Sequence, residues 1–280
     1  MRLILIGFHL YLILVPAALS AQNVRLQALD YAVYIGGLRA VNIDLDISLG
    51  KRDYDIKLVL NTEGLVDKLF KWSMTAFSYG DVKKGVVMPR KASRSSIWQG
   101  KRRSVSLNYS SNGFPNVVLE PNTKKFNQTS QPSKNLAGAR DLAGAILSYL
   151  TFAGNQNTCV RSEPIFDGKR YYKLLFENQT SVRLRRDQYS PYRGPALRCQ
   201  FRLQKISGFR SNEPRYTWMA GASAWIWLAP VFSRAVMVPV RIETDTTFGG
   251  LFIHLIAAKR NYKGEENKLV NQILKKIPTN

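Results

Sequence analysis

The chain has 280 residues, with 41 Lys and Arg against 19 Asp and Glu, a formal net charge of +22, two histidines and two cysteines. With His9 in the N-terminal apolar segment, two thiols and His254 cannot fill a tetrahedral zinc shell without carboxylates, and they leave little material for histidine-dependent catalysis. The length fits one large β domain or two small ones with a core of respectable size.

Met1 and Arg2 precede an apolar run from Leu3 to Leu19, interrupted by Gly7, His9 and Pro16 and followed by Ser20 and Ala21. A basic start, an apolar middle and a small-residue exit predict a secretory signal peptide over residues 1–20, with Ser20 or Ala21 the last residue removed. The alternative is an N-terminal membrane anchor; no other apolar stretch has spanning length. Removing Arg2 takes the basic count from 41 to 40, so the net charge falls from +22 to +21. In an exported protein such a surface points to anionic lipid, lipopolysaccharide or acidic envelope polymer rather than nucleic acid, or to a solvated surface with no specific ligand. The expected location is the periplasm or an equivalent oxidising space. There Cys159 and Cys199 read as a disulfide that contributes roughly 3–4 kcal/mol by closing its loop.

Along the mature chain, Tyr31–Leu38 is a short strand ending in a glycine pair. Val41, Ile43, Leu45, Ile47 and Leu49 then alternate on one strand face, and Tyr54, Ile56, Leu58 and Leu60 repeat the pattern after a polar turn, which makes a hairpin. Leu65, Leu69 and Trp72 change the period to that of a short helix capping an open end of the sheet. Strands are expected at 73–80, 86–88, 94–98 and 103–109, and a loop at 121–135. Asp141–Phe152 is the best helix, with Asp141 in its first turn and Leu142, Ala145, Ile146, Tyr149 and Leu150 as its apolar stripe. Further strands are expected at 171–176, 181–186, 196–207, 225–228, 235–243 and 251–258. Glu265–Ile277 closes the chain as an amphipathic helix, expected to dock on the sheet or on a membrane surface.

The order of Tyr34–Leu38, Gly64–Val66, Ala139–Leu142, Phe166–Tyr171, Val238–Glu243 and Phe248-Gly249 resembles the exported proteobacterial proteins grouped as domain of unknown function 3108, from about Leu29 to Ala258. The resemblance implies a mainly β protein built on a single large, strongly curved antiparallel sheet, a spiral or half-barrel like that of periplasmic carriers, with a middle helix. It implies no activity, no cofactor and no catalytic residue, and does not cover the C-terminal helix.

Candidate chemistry is sparse. His254 sits among apolar neighbours and reads as structural. Glu243 and Asp245, with Arg241 on the same strand face, read as a surface ion-pair ladder rather than a glycosidase pair. No phosphate-cradling or dinucleotide motif occurs, so the chain reads as non-enzymatic. Trp218, Trp225, Trp227 and Phe232 are candidates for a concave apolar groove with a basic rim, the alternative being ordinary core. Arg183, Arg185, Arg186, Arg193 and Arg198 are candidates for an anion-binding patch, the alternative being a charged edge that blocks aggregation. The functional expectation is an envelope protein that binds a lipid or other anionic amphiphile; the alternative is a ligand-free scaffold that contacts other envelope proteins.

Overall fold

The computed structural model describes residues 25–110, 115–121, 136, 138–209, 224–233, 235–246 and 249–262. The expected signal peptide, Trp218 and the expected C-terminal helix lie outside them, as does nearly all of the 121–135 loop.

Two meanders make the sheet. The first runs β1 (Arg25–Ile35), β2 (Leu38–Leu49), β3 (Asp53–Thr62), helix α1 (Gly64–Leu69), β4 (Trp72–Lys83), β5 (Val86–Trp98), β6 (Lys101–Tyr109) and β7 (Pro115–Glu120). After helix α2 (Leu142–Gln156), the second runs β8 (Arg161–Phe166), β9 (Tyr171–Leu184), β10 (Gly194–Ser207), β11 (Ala224–Ser233), β12 (Val236–Thr246) and β13 (Gly249–Tyr262). β13 pairs antiparallel with β1, joining both meanders into one 13-stranded sheet ordered β7-β6-β5-β4-β3-β2-β1-β13-β12-β11-β10-β9-β8. The sheet is not closed into a barrel. Among the described residues β7 and β8 are its two free edges.

The alternation read in the sequence selects the inner face. Leu29, Leu45, Ile47, Tyr54, Ile56 and Leu58 are buried and join one core with Leu147 and Leu150 of α2. Period-2 strands bury one face, and a sheet this wide must curl to bury it. The curl has two ends. The β2–β3, β4–β5, β9–β10 and β11–β12 connections lie at the lower end, and the β1–β2, β5–β6, β8–β9 and β12–β13 connections and α1 at the upper end. Helix α2 packs inside against β12, β5, β8, β3 and β4. Asp141 is its N-cap rather than a first-turn residue, accepting from Gly144 N at 2.9 Å and from Ser78 Oγ at 2.9 Å.

Side chains draw the free edges together without a strand ladder. The Arg140 backbone pairs with β8, donating to Pro164 O at 3.1 Å and accepting from Phe166 N at 2.8 Å. Its Nε reaches Val87 O on β5 at 2.8 Å. Phe166 is buried with Ala92 and Leu107 of β5 and β6. In the following turn Gly168 has φ +90°, and a Cβ there would lie 2.4 Å from Val105 Cγ1. Only glycine combines that conformation with so close an approach.

Several expected strands proved to be pieces of longer ones. β5 runs unbroken through Pro89, which faces Gly80 beside a bulge; a Cβ on Gly80 would lie 2.1 Å from Met88 O. Proline is tolerated at such an irregularity. β9 likewise joins two expected strands, and β7 was not expected at all. The Cys159–Cys199 disulfide is present, with Cα atoms 6.3 Å apart, and ties the exit of α2 to β10.

Candidate apolar cavity

Because α2 fills the lower interior, a space remains between it and the upper inner wall. This cavity has a volume of about 250 Å³ and is lined by Leu142, Ala145, Ile146 and Tyr149 of α2, by Tyr31, Ile43, Leu45 and Leu58 of β1 to β3, and by Phe201, Ile226, Ile242 and Ile253 of β10 to β13, among others. Lining residues nearer α2, such as Leu45, Leu58, Tyr149 and Ile165, are buried, while Ile43, Leu174, Phe201, Ile242 and Ile253 are half-exposed. The cavity therefore opens toward the upper end. An apolar space of about 150 Å³ already accepts small aromatic molecules while staying dry.

Polar groups at its wall are few. Glu163 is buried, with Arg161 Nε at 2.7 Å, Arg140 Nη1 at 3.6 Å and Ser148 Oγ at 3.3 Å. Burial pushes its carboxyl above the usual range, and the two guanidinium groups oppose that shift. The Tyr31 hydroxyl is buried and has no hydrogen-bond partner among the described residues. Burial raises its pKa, so it stays neutral. This lining suits an apolar chain; it holds no nucleophile beside a base.

The aromatic residues singled out in the sequence do not line this cavity. Ile226 reaches it from β11, and Trp225 and Trp227, at alternate positions, lie on the other face, where Trp227 is nonetheless buried at 7% exposure within the hydrophobic core and Trp225 and Phe232 pack against that core. There the Arg198 guanidinium stacks 3.8 Å from the Trp225 ring and 5.2 Å from Trp227, and Arg241 lies 5.2 Å from Trp227 on the neighbouring strand. Phe232 sits apart, near the lower end of β11, with Arg260 over its ring at 5.3 Å. The concave apolar site is thus on the opposite face of β11 from the tryptophans first considered.

Arg183, Arg185, Arg186 and Arg193 are exposed at the lower end of β9 and in the β9–β10 connection. Arg198 is held apart from them by its tryptophan stack. His254 is buried within an aromatic box, its ring 5.5 Å from Tyr189, 6.0 Å from Tyr34 and 6.3 Å from Phe252. Burial and then Arg241 lower its pKa, against Asp187. Its Nδ1 has no hydrogen-bond partner among the described residues. Arg241 and Glu243 form the expected ion pair.

Among the described residues no group of three or more His, Cys, Asp or Glu is placed to hold a metal, and no helix is long and apolar enough to cross a membrane. Four of the five stripe residues read on α2, and Ile43, Leu45 and Leu58 of the hairpin alternation, line the cavity. The periodicities marked these as inward faces. A gap between two inward faces has no periodicity of its own.

No curated protein matches the chain. A solved structure, the beta-barrel-like protein of domain of unknown function DUF1849 from Brucella abortus, is similar over 86% of this chain and 99% of its own at 10% identity, with a TM-score of 0.45. A family model described as "Protein of unknown function (DUF3108)" matches residues 30–256, and the chain belongs to that family.

Proposed function

We propose that this protein is an exported, periplasmic, non-enzymatic binding protein that takes the apolar part of a lipid or other anionic amphiphile into the cavity above α2. The observation that carries this reading is the 250 Å³ apolar space left open between the α2 stripe and the inner sheet face. A chain selected only for stability gains by filling such a space, because each unfilled volume forfeits packing. The net charge of +22 supports an anionic head group outside the mouth. The disulfide supports an oxidising compartment.

Native mass spectrometry of chain purified from periplasm, followed by solvent extraction, tests for a co-purifying amphiphile. Delipidated chain is then titrated with cis-parinaric acid. Ile146→Trp, which places a larger side chain in the cavity, is expected to weaken uptake about tenfold, or ~1.4 kcal/mol. A wild-type chain that carries no amphiphile and leaves parinaric acid unbound overturns the reading. Capture of envelope proteins by that bare chain would then favour a scaffold.

A further inference from the structure

Helix α1 joins β3 to β4 at the upper end, and none of its residues is buried. Leu65 and Leu69 are 63% and 70% exposed, and Phe70, just past its end, is 51% exposed. A six-residue helix does not persist alone, so the scaffold must hold it in place. It does so through polar contacts: Thr62 Oγ1 donates to Asp67 at 2.7 Å, Glu63 N to Ala40 O of β2 at 2.9 Å, and Gln99 N in the β5–β6 turn to Lys71 O at 3.2 Å. The apolar side chains are thereby fixed pointing away from the core. Trp98, at the β5–β6 turn, is 49% exposed and stacks on Phe70 with ring centroids 6.4 Å apart; Leu38, where β2 begins, is 58% exposed.

Contiguous exposed apolar groups of this size mark interaction surfaces. The charges around them select the partner. Lys68, Lys71, Lys101 and Arg102 are exposed beside these side chains. The nearby acids are engaged, Glu63 by Arg39 at 2.9 Å and Asp67 by Thr62. Leucine and bulky aromatics flanked by exposed cations match an anionic bilayer interface, where rings and aliphatic groups enter the head-group boundary and amines stay at the phosphates.

We propose that this upper rim, α1 with the β5–β6 turn and Leu38, docks the protein on an anionic membrane surface. Docking there turns the mouth of the cavity toward the lipid. Cargo transfer through that mouth rests on the amphiphile-binding reading, but docking itself needs no cargo.

The test uses the full mature chain and sedimentation with phosphatidylcholine vesicles, with and without phosphatidylglycerol. Wild type is expected to bind only the phosphatidylglycerol vesicles, with a blue shift in tryptophan emission that Trp98→Phe diminishes. The combined Leu65→Ser, Leu69→Ser and Phe70→Ser variant leaves net charge unchanged and is expected to bind about tenfold more weakly. Lys68→Glu with Lys71→Glu is expected to do the same, while parinaric acid uptake and thermal midpoint stay at wild-type values. Vesicle binding that is undiminished in these variants overturns the proposal. So does a wild type that binds no vesicles but forms dimers which the serine variant abolishes, since the rim would then be a contact between two copies. Loss of vesicle binding with dye uptake retained separates this surface from the cavity, and Ile146→Trp is expected to give the converse.

Discussion

The two ends of the curled sheet solve the same problem differently. Toward the lower end α2 packs on the inner face and its buried charge is engaged: Asp141 caps the helix, accepts from Ser78, and Ser78 shares a 2.9 Å hydrogen bond with the Tyr54 hydroxyl, while a more polar pocket of about 480 Å³ remains beside Asn157, Leu197, Leu228 and Met237. At the upper end the inner face is left open, the Tyr31 hydroxyl lacks a partner among the described residues, and leucines and aromatics of the rim point into solvent. Buried polar groups are ordinarily satisfied and large apolar groups ordinarily covered. The difference is one of degree, since Val86 and Met88 are exposed and the Gln27 and Tyr109 oxygens lack partners among the described residues toward the lower end as well.

The largest expected effect comes from loosening the filled end. The disulfide closes a loop of sequence separation 40 that contains β8 and β9. Replacing Cys159 and Cys199 together by serine is expected to cost about 4 kcal/mol in urea unfolding. Parinaric acid binding by the folded fraction should persist, because neither cysteine lines the cavity. Unchanged stability would mean that β8 and β9 are held by the Arg140 clasp without help from the crosslink.

Titration of Asp141 is expected to have a somewhat smaller effect. Burial lifts its carboxyl from 3.8 to about 6, against hydrogen bonds from Gly144 and Ser78. The folded chain therefore holds this proton more firmly than the unfolded chain. The resulting stabilisation is complete below about pH 4 and lost as pH rises through 6, on the order of 2–3 kcal/mol. The Asp44, Asp46 and Glu163 carboxyls are shifted in the same sense by burial. Asp141→Asn keeps an N-cap acceptor and should flatten the stability profile between pH 4 and 6. An unchanged slope would assign the titration to other groups.

The two ends were also unequally legible in the sequence. Hairpin alternation through Ile43, Leu45, Ile56 and Leu58, the α2 stripe and the cysteine pair lead directly to the inner faces and their crosslink, because each is a local pattern with one structural solution. The sequence divides β5 at Pro89, because nothing local announces the bulge beside Gly80 that admits a proline. In the sequence Trp225 and Trp227 are groove candidates because both are bulky and apolar. Their alternation with Ile226 and Leu228 permits either face inward, and only the register with Arg198 and Arg241 settles which. The open cavity depends on how far α2 stands from β2 and β13, a distance that pairings remote in sequence determine. Leu65 and Leu69 were correctly placed on a short helix at an open end, but a helical period does not say whether its apolar side meets the protein.

The smallest effect deletes the same atom at both ends. Tyr31 and Tyr54 are each buried, each lies on a strand of the first meander, and burial raises the pKa of both. The Tyr54 hydroxyl belongs to the Ser78–Asp141 network, so Tyr54→Phe leaves Ser78 with one partner fewer in a buried site and should cost about 1 kcal/mol. Tyr31→Phe removes a hydroxyl whose desolvation has no compensating bond among the described residues, so stability should hold or rise by up to about 1 kcal/mol. Thermal unfolding of both variants at one pH compares them directly, and the sign of the difference carries the information. A Tyr31→Phe variant that loses as much as Tyr54→Phe would mean that the upper hydroxyl is satisfied in solution, and the contrast between a completed end and an open one would fail at that residue.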